Sequence, residues 1–141
     1  MRYVLDCSVA VKWLVPEPFS GQALEVLNGL RAGTTALVAP DSILAELGHA
    51  LRKLVVGREL SPAEAQALLD DFLAINVVTV PVRLLAAEAL RLCSAHMATF
   101  YDAVYMALAI REDVKVLTAD ERMANAFAPL QRTLLLRDWM P

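Results

Sequence analysis

At 141 residues the chain suits one domain with a real core, and its net charge of −3 offers no overall basic surface for a polyanion. Apolar types make up 57% of it, yet the longest uncharged run, Phe72 to Val82, has 11 residues and includes Asn76, Thr79 and Pro81. That is well short of the roughly 18 residues of a membrane span. The elements follow in order. Residues 2–6 read as a short buried strand, and Ser8 is placed to cap a brief helix through Trp13, stopped by Pro16 and Pro18. A helix from about Phe19 to Arg31 carries Phe19, Ala23, Val26, Leu27 and Leu30 on one stripe. After the turn Gly33-Thr34-Thr35, Ala36 to Ala39 form a second strand. Pro40-Asp41-Ser42 then starts a long helix to about Val56, with Asp41 as its natural N-cap and Gly57 as its stop.

Ser61-Pro62-Ala63-Glu64 has the form of a capping box and opens a helix to about Ala74. Val77 to Val80 make a third strand closed by Pro81, and helices cover Leu84 to His96 and Phe100 to Arg111. Val114 to Leu117 are a fourth strand, a short helix follows Asp120, and Thr133 to Leu136 are a fifth strand. Short apolar strands separated by helices predict a single α/β domain, residues 1–141, with a five-stranded parallel sheet flanked by helices on both faces. Asp6 would spoil a signal-peptide core, and Cys7 and Cys93 form no spaced framework, so a cytoplasmic protein with buried free thiols is expected.

Four acids interrupt this apolar pattern: Asp6 after the first strand, Glu46 inside a helix, Asp102 at the start of another, and Asp120 after the fourth strand. A carboxylate in apolar surroundings is costly unless neutralised, so four of them suggest a fold that gathers ligands for divalent cations. In open parallel sheets ligands collect beyond the C-terminal strand ends, which brings Asp6 and Asp120 to one edge if their strands are neighbours. Asp102 has a structural alternative in the capping spacing of Thr99. Thr118 is placed to cap the helix after it with Glu121 as capping partner, leaving Asp120 to point elsewhere. Glu46, about two turns into its helix and too far from Lys53 for a direct i,i+4 pair, has the weakest structural explanation. Setting the four aside leaves thirteen basic against twelve acidic residues, and bound cations would make the cluster attractive to phosphate.

The segments Leu5 to Trp13, Pro40 to Glu46, Tyr101 to Ala109 and Leu117 to Asp120 resemble the PIN-domain ribonucleases, and within them the VapC-type toxins of toxin–antitoxin pairs. The resemblance runs through the whole chain in the right order. It implies an acidic metal site of Asp6, Glu46, Asp102 and Asp120, with Ser8 and Thr118 supporting it from behind. It also implies a homodimer and an antitoxin that fills a hydrophobic groove. That groove is expected between two amphipathic helices carrying Leu47, Leu51 and Leu54, and Leu68, Leu69, Phe72 and Leu73, although core and dimer contacts are able to absorb the same residues. Two departures stand out: His49 where the family often has asparagine three residues after the glutamate, and Cys7 where a smaller or hydroxyl residue is usual.

Carboxylates favour Mg²⁺ or Mn²⁺, which neutralise phosphate and lower the pKa of a bound water, and two ions about 4 Å apart serve both oxygens of an in-line displacement. Metal-assisted hydrolysis of an RNA phosphodiester is therefore the expected activity. Lys12, Lys53 and Arg122 are candidate phosphate contacts, and His49 a candidate general acid or base weighed against a polar neighbour of the site. His96 reads as a surface residue matched to a helix dipole, and Tyr101 and Tyr105 as core packing before base stacking. A phosphoaspartate enzyme fits poorly, because Ser8 occupies the place of its second aspartate. A catalytically silent PIN-fold binding module is the serious alternative, and DNA cleavage a further one, since the metal chemistry does not itself select ribose.

Overall fold

The computed structural model describes residues 1–141. Its sheet is built from β1 (Arg2–Leu5), β2 (Ala36–Pro40), β3 (Val78–Val80), β4 (Lys115–Thr118) and β5 (Thr133–Leu135). The helices are α1 (Cys7–Ala10), α2 (Ser20–Ala32), α3 (Ile43–Val56), α4 (Pro62–Ala74), α5 (Ala86–His96), α6 (Phe100–Glu112) and α7 (Glu121–Ala126), with short 3₁₀ turns between them. All four strand pairings are parallel, in the order β3-β2-β1-β4-β5. The chain leaves β1 toward β2 and β3 and later returns beside β1 as β4, so β1 and β4 flank the point where the winding reverses. Crevices open at the C-terminal ends of such a pair.

The apolar runs chosen as strands are strands because they are buried. Val4, Leu5, Val116 and Leu117 in the two middle strands are inaccessible to solvent, whereas edge strand β3 is mostly exposed. Helix α6 is the buttress. Its residues Ala103 to Ala109 are all buried, and the helix packs against β1, β2 and β4 together. Ala103, Ala107 and Ala109 keep its surface thin enough to approach the sheet, while Met106 and Leu108 fill the layer. A helix buried on nearly every side is fixed in position, which matters for what stands at its start.

Local signals hold in most places and are overruled in four. The Ser61–Glu64 capping box forms in both directions, and Thr99 accepts from the Asp102 amide at 3.1 Å. Ser8 does not cap α1; it lies inside that helix and its hydroxyl turns to the sheet edge. Asp41 does not cap α3 either: it accepts from the Val82 amide at 2.9 Å, tying the end of β2 to the chain after β3. Pro40 belongs to β2 and α3 begins only at Ile43, so Glu46 stands in the first helical turn rather than two turns in. Thr118 does not cap α7. Asp120 does, accepting from the Met123 amide at 3.2 Å.

The thiols are free, Cys7 buried and Cys93 half-buried. His96 ends α5 with its ring 5.5 Å from that of Phe127, a half-buried contact rather than a solvated one. Tyr105 is core, as expected, but Tyr101 is exposed. No helix is long and apolar enough to cross a membrane. Because α6 is packed on all sides, Leu108→Ala leaves a void that the sheet cannot close, and a loss of about 2–5 kcal/mol is expected in urea denaturation. A loss under about 1 kcal/mol would mean that α6 is not the buttress.

Candidate active site

Asp6 follows the last residue of β1, and its amide still donates to the Leu117 carbonyl of β4 at 3.1 Å, which sets it at the reversal point. Only 5% of it is exposed. Two hydroxyls hold it from below: Ser8 Oγ and Thr118 Oγ1 both donate to Asp6 Oδ2, the latter at 2.7 Å. Each hydroxyl also accepts from the loop after β4, Ser8 from the Ala119 amide at 2.8 Å and Thr118 from the Asp120 amide at 3.0 Å. The support expected of Ser8 and Thr118 is thus a closed knot of hydrogen bonds joining α1, β1 and β4. It occupies one Asp6 oxygen and leaves the other for the cleft.

The four acids line one cleft of about 840 Å³. Asp6 forms its floor, Glu46 comes from the first turn of α3, Asp102 from the first turn of α6, and Asp120 from the N-cap of α7. The Thr99 cap takes the Asp102 amide, so the Asp102 carboxylate is left to face the cleft. Arg122 bridges two of the acids, with one guanidinium nitrogen 3.3 Å from both Asp102 Oδ2 and Asp120 Oδ2. It is two-thirds exposed, so these contacts are weak and open to exchange.

Crowding of like charge marks the electrostatics. Burial, with the negative neighbours Asp102 and Asp120, raises the Asp6 carboxyl, opposed by its two hydroxyl donors. Burial and Asp6 push Glu46 up to about 7. Burial raises Asp102 as well, against the pull of Arg122. Burial and the neighbouring carboxylates hold the Cys7 thiol protonated, so it is no thiolate nucleophile. Glu46 Oε1 is buried with no hydrogen-bond partner.

This donor set consists of hard oxygens carrying excess negative charge, with one oxygen orphaned, and it fits a hard divalent cation. As the side chains stand, no three of the acidic, histidine and cysteine groups are spaced to clasp one ion. Arg122 occupies the place between Asp102 and Asp120 instead.

Of the other candidates, Lys53, His49 and Tyr101 line the cleft, as does Arg122. Lys12 does not; it pairs with Glu17 at 2.8 Å. Two residues take places at the site that the sequence does not reveal. Glu17 lines the cleft from between Pro16 and Pro18, where nothing local marks it. The Tyr105 hydroxyl lies against Glu46, and its only sequence signal is a position one turn after Asp102.

Of the residues expected to line a groove between α3 and α4, Leu47, Leu51 and Phe72 are buried in the core, Leu54, Leu68 and Leu69 are half-buried, and Leu73 is exposed. An apolar groove of about 690 Å³ opens instead beside α4, walled by Trp13 and Leu14, by Leu27 and Leu30 of α2, and by Leu68 and Ile75.

The family model of the PIN domain matches residues 3–127. Ribonuclease VapC1 of Mycobacterium tuberculosis is 39% identical over 126 residues, which is 87% of this chain and 89% of the relative. Ribonuclease VapC3 of Pyrobaculum aerophilum is 30% identical over 130 residues, 92% of this chain and 98% of the relative. Among solved structures, the VapBC2 complex of Rickettsia felis bound to a fragment of its promoter DNA contains a chain that superposes with a TM-score of 0.64 at 18% identity. It covers 96% of this chain and 97% of that one, a likeness of fold. A parallel sheet wound about β1, an acid at each of four element ends and these relatives together place the chain in the PIN-domain family.

Proposed function

We propose that the chain is a single-domain, Mg²⁺- or Mn²⁺-dependent endoribonuclease that acts as the toxin of a toxin–antitoxin pair. The observation that carries this reading is the convergence of Asp6, Glu46, Asp102 and Asp120, from four separate elements, on one cleft at the reversal point of the sheet. Its relatives are named as VapC ribonucleases over nearly their whole length. The four acids would hold the metal. When bound, it supplies Lewis acidity toward a phosphoryl oxygen and a more acidic water.

The remaining work falls to the chain. Ser8 and Thr118 keep the Asp6 carboxylate from rotating. Arg122 offsets part of the acidic charge and is loosely enough held to turn toward an RNA phosphate. Lys53 on the α3 wall gives the phosphate backbone a second cationic contact. The exposed Tyr101 ring beside Asp102 offers a face on which an unpaired base stacks. A cytoplasmic site of action goes with this reading.

The apolar groove between Trp13, α2 and α4 is where an antitoxin helix finds its surface, and two copies of the chain form the functional homodimer. A silent binding module is the weaker reading. Capping explains Asp120, but no structural role explains Glu46 Oε1 buried without a partner in the same cleft.

Two outcomes are expected. First, purified protein freed of any antitoxin cleaves single-stranded RNA in Mg²⁺ or Mn²⁺ and not in excess EDTA. Asp6→Asn and Asp102→Asn each lower the rate on the order of 10³-fold, and undiminished cleavage in either variant would sink the nuclease reading. Second, Glu46 has a folded pKa of about 7 against an ordinary 4.5, so the folded state binds more protons than the unfolded one between those values. Stability contributed by that proton is therefore present at low pH and lost as pH rises through that window. In EDTA, melting scans from pH 5 to 8 should find Glu46→Gln gaining on the wild type as pH rises. Added Mn²⁺ should raise the Tm of the wild type only. A pH-independent difference between the two proteins would contradict the charge assignment.

A further inference from the structure

Three of the four cleft carboxylates are held by hydrogen bonds and one is not. Asp6 accepts from two hydroxyls, Asp102 from Arg122, and Asp120 from Arg122 and the Met123 amide. Glu46 Oε1 is buried with no hydrogen-bond partner in good geometry. It is also the longest of the four side chains, with the most rotamer freedom to lose on ligating an ion. Carboxylates that ligate metals are usually oriented by a hydrogen-bonding neighbour, and losing that neighbour costs about 10–100-fold in metal affinity.

A donor without a partner stands beside it. The Tyr105 hydroxyl is buried and makes no hydrogen bond, and Glu46 Oε1 is in the same condition. The two groups adjoin closely enough for the phenol to act on the Glu46 carboxyl as a hydrogen-bonding neighbour, yet neither atom reaches full hydrogen-bond geometry. A buried hydroxyl left unpaired costs about 1–3 kcal/mol. Phenylalanine would fill the same space in the core with no such penalty. Tyr105 lies three residues after Asp102, so both project from one face of α6. That helix is locked by seven consecutive buried residues, which makes the phenol a rigid reference point, whereas Glu46 is a flexible side chain lining the cleft.

We infer that Tyr105 is a positioning residue for Glu46: its O–H donates to Oε1, fixing the carboxylate so that its second oxygen faces the cation site. The inference rests on the reading of the four acids as metal ligands. It assigns a task to a core tyrosine on a helix already committed to supplying Asp102. It also explains why one orphaned donor and one orphaned acceptor are buried side by side. A modest turn of Glu46 joins them, and an ion in the cleft draws the carboxylate into that turn.

The test is calorimetric titration of Mn²⁺ into the wild type and Tyr105→Phe, with melting of both in EDTA. Tyr105→Phe should bind Mn²⁺ about 10-fold more weakly, while its metal-free Tm equals or exceeds that of the wild type. The Mn²⁺ concentration for half-maximal RNA cleavage should rise by the same factor, with kcat recovered at saturation. Equal Mn²⁺ affinity in the two proteins would overturn the inference and leave the metal site standing. A strongly lowered Tm would assign the hydroxyl to the core and overturn it also. Absence of Mn²⁺ binding by the folded wild type would remove the metal site itself and the inference with it.

Discussion

Repulsion among four carboxylates brought to one cleft is the constraint around which the rest of this molecule is arranged. Bringing such groups out of water raises the free energy of their charged forms, and the upward shifts at Asp6, Glu46 and Asp102 register that cost. The fold tolerates it by local compensation. Two hydroxyls stabilise the most buried acid, a guanidinium bridges two others, and helix N-termini lie beneath three of them: Glu46 and Asp102 in first turns and Asp120 at a cap. None of these neutralises the cluster, and it keeps a surplus of negative charge.

The Asp6–Ser8–Thr118 knot does two jobs with one set of atoms. It satisfies the polar groups at the ends of β1 and β4, where the sheet hydrogen bonds run out, and it orients the floor of the cleft. The structural and chemical demands therefore fall on the same residues. Helix α6 works in a similar way from the other side. Its alanines let it sit close on the sheet, its bulk fills the core, and the same rigidity fixes Asp102 at the rim and Tyr105 behind Glu46.

The two departures from the usual family pattern fall out differently. Cys7 lines the cleft, but burial and adjacent negative charge keep its thiol protonated, so it packs as a small apolar group. His49 is exposed on the cleft wall one turn from Glu46, beside Lys53.

Much of this architecture is legible in the residues themselves. Alternation of short apolar runs with amphipathic stretches is a local property, and it predicts five strands and the helices between them to within a residue or two. An acid that interrupts an apolar run is likewise visible in one dimension, which is why all four cleft carboxylates stand out. Other features depend on which strands become neighbours. The pairing of β1 with β4 puts Thr118 against Asp6 across 112 residues, so that Asp120 is left to cap α7. Asp41 finds the Val82 amide instead of its own helix because β3 lies alongside β2. Tyr105 comes to lie beside Glu46, and Arg122 reaches Asp102, through packing that no local spacing encodes. Sequence alone determined which acids interrupt the apolar pattern and so stand out from it. The tertiary structure decided their partners, because a short polar side chain takes the donor that packing delivers within about 3 Å, and that delivery is non-local.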